Sequence, residues 1–155
     1  MTRSTLPAIS VLLVVPALLA SCASLPGRDR TTAPLPTAAE HLARGMAEFD
    51  AADALRRQRS PNPVMGGVFG WPPDHEKWLG HLRQAEADFR AVLDRFPASP
   101  EAPEAQYMLG RIDDHPQRNR FDDAVAEYRL TVERYPGSPA AEKARGRIDL
   151  IESIR

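Results

Sequence analysis

The sequence has 155 residues, 43% of them hydrophobic and 26% charged, with 20 Lys+Arg against 21 Asp+Glu. That is room for one domain, and a net charge of −1 gives no field that would gather nucleic acid or an anionic bilayer, so neither is an expected partner. The single cysteine cannot close an internal disulfide, so stability has to come from packing even in an oxidising compartment.

The chain opens with one positive residue, Arg3, and an uncharged apolar run from Ile9 to Ala20, too short to span a membrane stably and suited to a signal peptide. Cys22 follows Leu19-Ala20-Ser21 directly, an arrangement that resembles the bacterial lipobox, in which the cysteine is acylated and becomes the new N-terminus. The competing reading is an ordinary secretory peptide cut after Ala23. The resemblance implies a signal peptide over 1–21, a palmitate-type lipid anchor on Cys22 and, with Ala23 next to it, an outer-membrane, periplasm-facing location. Residues 22–37, rich in Pro and Thr without apolar periodicity, read as a tether. At about 3.1 Å per residue in Pro-rich geometry, such a tether reaches on the order of 40 Å from the lipid.

From Ala38 onward the apolar residues recur at three- and four-residue steps. The sets are Leu42, Met46, Phe49 and Ala52; Leu82, Ala85, Phe89, Val92, Leu93 and Phe96; Ala105, Met108, Leu109 and Ile112; Ala124, Val125, Tyr128, Val132 and Tyr135; and Ala144, Ile148, Ile151 and Ile154. Five helices are predicted, and no sheet. Pro97, Pro100 and Pro103 stop the second, and Gly137 with Pro139 stops the fourth.

The stretch AEADFRAVLDRFPASPEAPEA from Ala85 lies on AVAEYRLTVERYPGSPAAEKA from Ala124 at an offset of 39 residues. Phe89 falls on Tyr128, Phe96 on Tyr135, Pro97 on Pro136, Ser99 on Ser138 and Pro100 on Pro139. Such a period belongs to stacked helical hairpins, each of which hides its apolar face only against the next. Leu109-Gly110, then Ala124, Tyr128 and Pro136, with Ala85, Phe89 and Pro97 repeating the spacing, resemble the tetratricopeptide repeat family. Gln106 and Asp113 stand where that family prefers aromatic residues, and the first hairpin keeps only Gly45 with Leu42 and Phe49. The linkers RFPASPEAPEAQYMLG and RYPGSPAAEKARGRI are similar to those of BamD-like and CpoB-like envelope repeat lipoproteins and periplasmic proteins, of which this chain would be a short relative.

The resemblance implies an all-α, short tetratricopeptide-like solenoid over 38–155. It also implies an adaptor or scaffold that holds envelope proteins or peptides along its concave face, with outer-membrane protein assembly or envelope maintenance as its setting. First helices would line that face, which makes Glu104, Tyr107, Met108, Arg111 and Asp114, with Lys143 and Arg147, the candidate partner-binding residues. An insertion around 56–77 interrupts the first hairpin; within it Phe69 and Trp71 either anchor a partner or fold back over an end of the stack.

Other constellations are weaker. His75 and His81 lack the spacing of a metal clamp, and Asp113-Asp114-His115, followed by Pro116, Gln117, Arg118 and Asn119, reads as a solvated turn. Nothing supplies a nucleophile with its base, so no enzyme, cofactor or metal is expected. The last helix has no hairpin to cover it, which leaves homo-oligomerisation, and with it a self-assembling structural lipoprotein, as the alternative function.

Overall fold

The computed structural model describes residues 35–58 and 74–154. The leader, the acylation candidate Cys22, and Phe69 and Trp71 of the insertion lie outside the described residues. Five helices follow in chain order: α1 Ala38–Arg57, α2 His75–Arg95, α3 Ala102–Asp113, α4 Phe121–Arg134 and α5 Pro139–Ser153. No strand occurs among the described residues, and none of their helices is long and apolar enough to cross a membrane.

Three of the five starts, those of α1, α2 and α5, carry a side-chain cap. Thr37 and Glu40 form a reciprocal capping box on α1, the Glu40 amide donating to Thr37 Oγ1 at 3.2 Å and the Thr37 amide to Glu40 Oε2 at 2.8 Å. Asp74 caps α2 by accepting from the Lys77 amide, and Ser138 caps α5 by accepting from the Ala141 amide. In α5 the Glu142 amide also bonds the Ser138 carbonyl at 3.4 Å. Pro103, the second residue of α3, occupies the place equivalent to Glu142 and has no N–H to give, so that bond is absent at the start of α3.

α1 packs on α2, α3 on α4 and α4 on α5, while α2 also packs on α3. Along the stack α1 touches α3 and α3 touches α5, but α2 and α4 do not meet, which puts the odd-numbered helices on the inside of the curve. The structure is a short all-α, tetratricopeptide-like solenoid. Its core runs through Trp78, Leu82, Ala85, Phe89 and Val92 of α2, Ala105 and Ile112 of α3, Tyr128 of α4, and Ala144 and Ile151 of α5, all fully or almost fully buried. Trp78, at the edge of the insertion in sequence, is completely enclosed.

Two glycines set how closely each pair of helices approaches. A Cβ on Gly45 would lie 2.6 Å from Phe89 Cε1, and one on Gly110 would lie 2.5 Å from Tyr128 Cε1. The same glycine-on-aromatic contact therefore closes both hairpins. A polar clasp repeats beside it. Buried His41 meets Asp88 at 2.8 Å and Arg95 at 3.1 Å, and buried Gln106 meets Glu127 at 2.5 Å and Arg134 at 3.4 Å.

Applying the 39-residue offset to α5 shows what its outward face presents. The positions through which α3 receives α4, Gln106 and Gly110, become Arg145 and Asp149 in α5, and both are exposed. A further aromatic helix docking there would have to desolvate two charges.

Candidate binding groove

The inner ends of α1, α3 and α5 enclose a groove of about 400 Å³. Phe49, Asp53 and Arg56 enter from α1, Arg111 and Asp114 from the end of α3, and Arg147, Leu150, Ile151 and Ile154 from α5; His115, Pro116 and Phe121 close it below. One face of each inner helix thus contributes, as stacking of hairpins requires.

Of the seven first-helix and α5 candidates, five form two clusters, while Arg111 and Met108 each stand apart. At one end of the α3–α5 seam both carboxylate oxygens of Glu104 accept from Lys143 Nζ at 3.0 Å, and that ammonium lies 5.4 Å above the ring of buried Tyr107. At the other end, beside the groove, Arg147 donates from Nε to Asp114 Oδ2 at 2.7 Å and pairs with the same oxygen through Nη2. The Tyr128 hydroxyl donates to that oxygen too, at 2.9 Å. Burial and the adjoining Asp114 carboxylate push the Tyr128 hydroxyl above its ordinary titration range.

Arg111 stands apart. Its guanidinium lies 5.7 Å over the Phe49 ring, and among the described residues no carboxylate pairs with it. Met108 is 3% exposed and belongs to the core, as its place in the apolar set with Ala105, Leu109 and Ile112 predicts, and is not presented to the groove as the resemblance implies, because packing against the neighbouring helices turns it into the junction. Tyr107, also buried, offers only its ring face, which Lys143 covers.

The turn after α3 corrects a second expectation. Asp114 and His115 are 6% and 7% exposed, not solvated. His115 packs against Trp78 with ring centroids 5.0 Å apart, and burial, aided by the positive field of Arg56, pushes its imidazole down to about 4. Arg118 and Arg120 hold Asp113 at 3.2 and 3.1 Å, while burial pushes that carboxyl up. The turn is buried because the first hairpin lies across it, a long-range contact that a run of polar residues does not announce.

His81 Nδ1 pairs with Glu48 Oε2 at 2.6 Å, bridging α1 and α2, and His75 stacks on Trp78. Among the described residues no group of three metal-ligating side chains comes together.

The His41–Asp88 clasp was invisible in the linear pattern. Burial alone would raise the Asp88 carboxyl, yet bonds from His41 and Arg44 outweigh it and hold it below its usual value. The equivalent Glu127, without such a cation in contact, is pushed up by burial. A nucleophile is missing from both, and the shared geometry makes them struts between paired helices.

Comparison with curated proteins and with solved structures returned no match. The family model described as tetratricopeptide repeat matches residues 79–139, from Leu79 in α2 through α3 and α4 to Pro139, so the central hairpin junction and its two linkers carry a tetratricopeptide repeat.

Proposed function

We propose that this chain is a protein-binding adaptor of the bacterial cell envelope, lipid-anchored through Cys22 at the periplasmic side of the outer membrane, with the α1–α3–α5 groove as its binding surface. Tetratricopeptide repeats generally mediate protein–protein interactions, and the groove carries this reading: three inner helices converge on a concave surface that mixes exposed apolar and arginine side chains. The leader ending at Cys22 and linkers similar to those of BamD-like and CpoB-like proteins support the envelope setting. The reaction class is binding. The polar clusters act as struts, and no activated nucleophile accompanies them among the described residues.

Photo-crosslinking in cells tests the reading. Probes at Arg111 and Leu150 are expected to capture a discrete partner, and probes at the exposed outer positions Ala126 and Glu133 of α4 are not. Equal capture from both faces, or none from the groove, would overturn it. Replacement of Cys22 by Ala is expected to release the protein from the membrane fraction. The second reading, self-assembly, draws on Leu150 and Ile154 of α5, which are 49% and 71% exposed. A strict monomer at high concentration by light scattering removes it.

A further inference from the structure

We propose that the groove takes an amphipathic segment of a partner protein that presents one carboxylate within an apolar stripe, and that Arg111 is the residue that receives this carboxylate. The inference rests on the adaptor reading and goes further by naming the chemistry of the bound segment.

The charges of the groove are already matched except at one point. Asp53 is taken on both oxygens, Oδ1 by Arg56 at 3.0 Å and Oδ2 by Arg57 at 3.2 Å. Asp114 is taken by Arg147 and the Tyr128 hydroxyl. His115 stays neutral above pH values near its lowered titration point, so it adds no cation. Arg111 alone among the lining cations has no acid among the described residues.

Its position suits a ligand. The Phe49 ring lies against the guanidinium and steadies it without using up its N–H donors in the way a carboxylate would. A guanidinium held in this way offers a fork that fits a carboxylate with two parallel hydrogen bonds. Around it the wall is apolar: Phe121 at the base, Leu150 and Ile154 exposed on the rim. Leu150 and the C-cap residue Ile154 are four positions apart at the end of α5, so they act as a single patch.

Complementarity then selects the occupant. A wholly apolar segment would strip water from Arg111 and give nothing in return, which is costly. A basic segment would meet the like charge of Arg111, which no acid among the described residues offsets. An apolar stripe interrupted by one acidic side chain fills the wall and pairs the remaining cation.

The test uses the full chain in detergent and a fluorescently labelled amphipathic helical peptide with leucines at three- and four-residue spacing and one glutamate among them. Counterparts carry glutamine or lysine in place of the glutamate. Fluorescence anisotropy is expected to show the glutamate peptide binding at least about tenfold more tightly than the glutamine one, the scale of one charge-assisted contact, with the lysine peptide weakest. Arg111→Gln is expected to abolish this preference while circular dichroism stays helical, and Arg111→Lys to keep part of it. A double Leu150→Ser, Ile154→Ser variant should weaken all three peptides and leave their ratio unchanged.

Equal binding of the glutamate and glutamine peptides, or a preference that survives Arg111→Gln, overturns the proposal. Absence of peptide binding overturns it alone if the groove still crosslinks a partner in cells, and overturns the adaptor reading as well if it does not. A concentration-dependent dimer that the double variant dissolves, and that excludes the peptides, overturns it in favour of a second copy of this chain.

Discussion

The ring of Phe89 fills the space that a side chain on Gly45 would need: a Cβ there would lie 2.6 Å from Phe89 Cε1. The same relation joins Tyr128 to Gly110 in the next hairpin. Gly45→Ala and Gly110→Ala are each expected to destabilise by about 1–3 kcal/mol through overpacking, the gain in helix propensity offsetting only part of it. Gly80 and Gly146 lie within helices with open space where a Cβ would go, so Gly80→Ala and Gly146→Ala should stabilise by about 0.5–1 kcal/mol. Urea unfolding of the four variants measures the contrast; a uniform sign would refute it.

The two ends of the α3–α5 seam should behave unequally. Lys143 and Glu104 are largely solvated, with side chains 50% and 31% exposed, so Lys143→Ala is expected to cost under about 1 kcal/mol. Asp114, with its side chain 4% exposed, satisfies both Tyr128 and Arg147. Asp114→Ala leaves the buried Tyr128 hydroxyl without an acceptor and should cost about 2–4 kcal/mol. Tyr128→Phe, which removes the donor and keeps the ring, should cost about 1 kcal/mol. The order of the three unfolding midpoints checks the assignment.

Of the two repeated clasps, the first is the more sensitive to loss of its acid. Asp88→Ala takes the acid out of the clasp and leaves buried His41 facing Arg44 and Arg95 without a counter-charge, an expected loss of about 2–3 kcal/mol. Glu127 is held by Gln106 and already pushed toward its neutral form by burial, so Glu127→Gln should cost under about 1 kcal/mol. Chemical denaturation at neutral pH separates them, and a larger loss at Glu127 would contradict the comparison.

His115 gives the fold a pH dependence with a definite sign. The folded protein keeps its imidazole neutral down to about 4, under burial and the positive charges of Arg56 on α1 and Arg111 on α3, with Asp53 of α1 acting in the opposite sense. In the unfolded chain it protonates near its ordinary value of 6.5. Above 6.5 the contribution is complete; between 6.5 and about 4 the unfolded state binds the extra proton, and stability falls with pH. Burial raises Asp113 and Glu127, which work against this trend, so the measurement is the difference between the native chain and His115→Gln. That difference should shrink in favour of the variant from pH 7 to pH 4.5; a flat difference would refute the assignment.

Much of the architecture was written locally. Pro97, Pro100 and Gly137 mark stops that act within a turn or two, and Phe89 over Tyr128 is legible because the matching linkers keep one offset. The clasps were not legible. His41 and Asp88 are 47 residues apart whereas Gln106 and Glu127 are 21 apart, because the first hairpin carries the longer connection, so no single period relates them. The lining of the candidate groove was half legible: Arg111, Asp114 and Arg147 lie on the expected inner face, but Phe49 and the buried His115 depend on which way each helix turns about its axis. Spacing along one helix does not fix that rotation; the neighbouring helices do.

The exposed Arg145 and Asp149 on α5 have a bearing on how such molecules crowd together. Open-ended piles of identical hairpins can polymerise, each terminus acting as a template for the next molecule's start. An α5 that carries opposite charges at the two sites where a neighbouring hairpin would nestle blunts that template, which disfavours end-to-end growth of copies of these five helices into filaments.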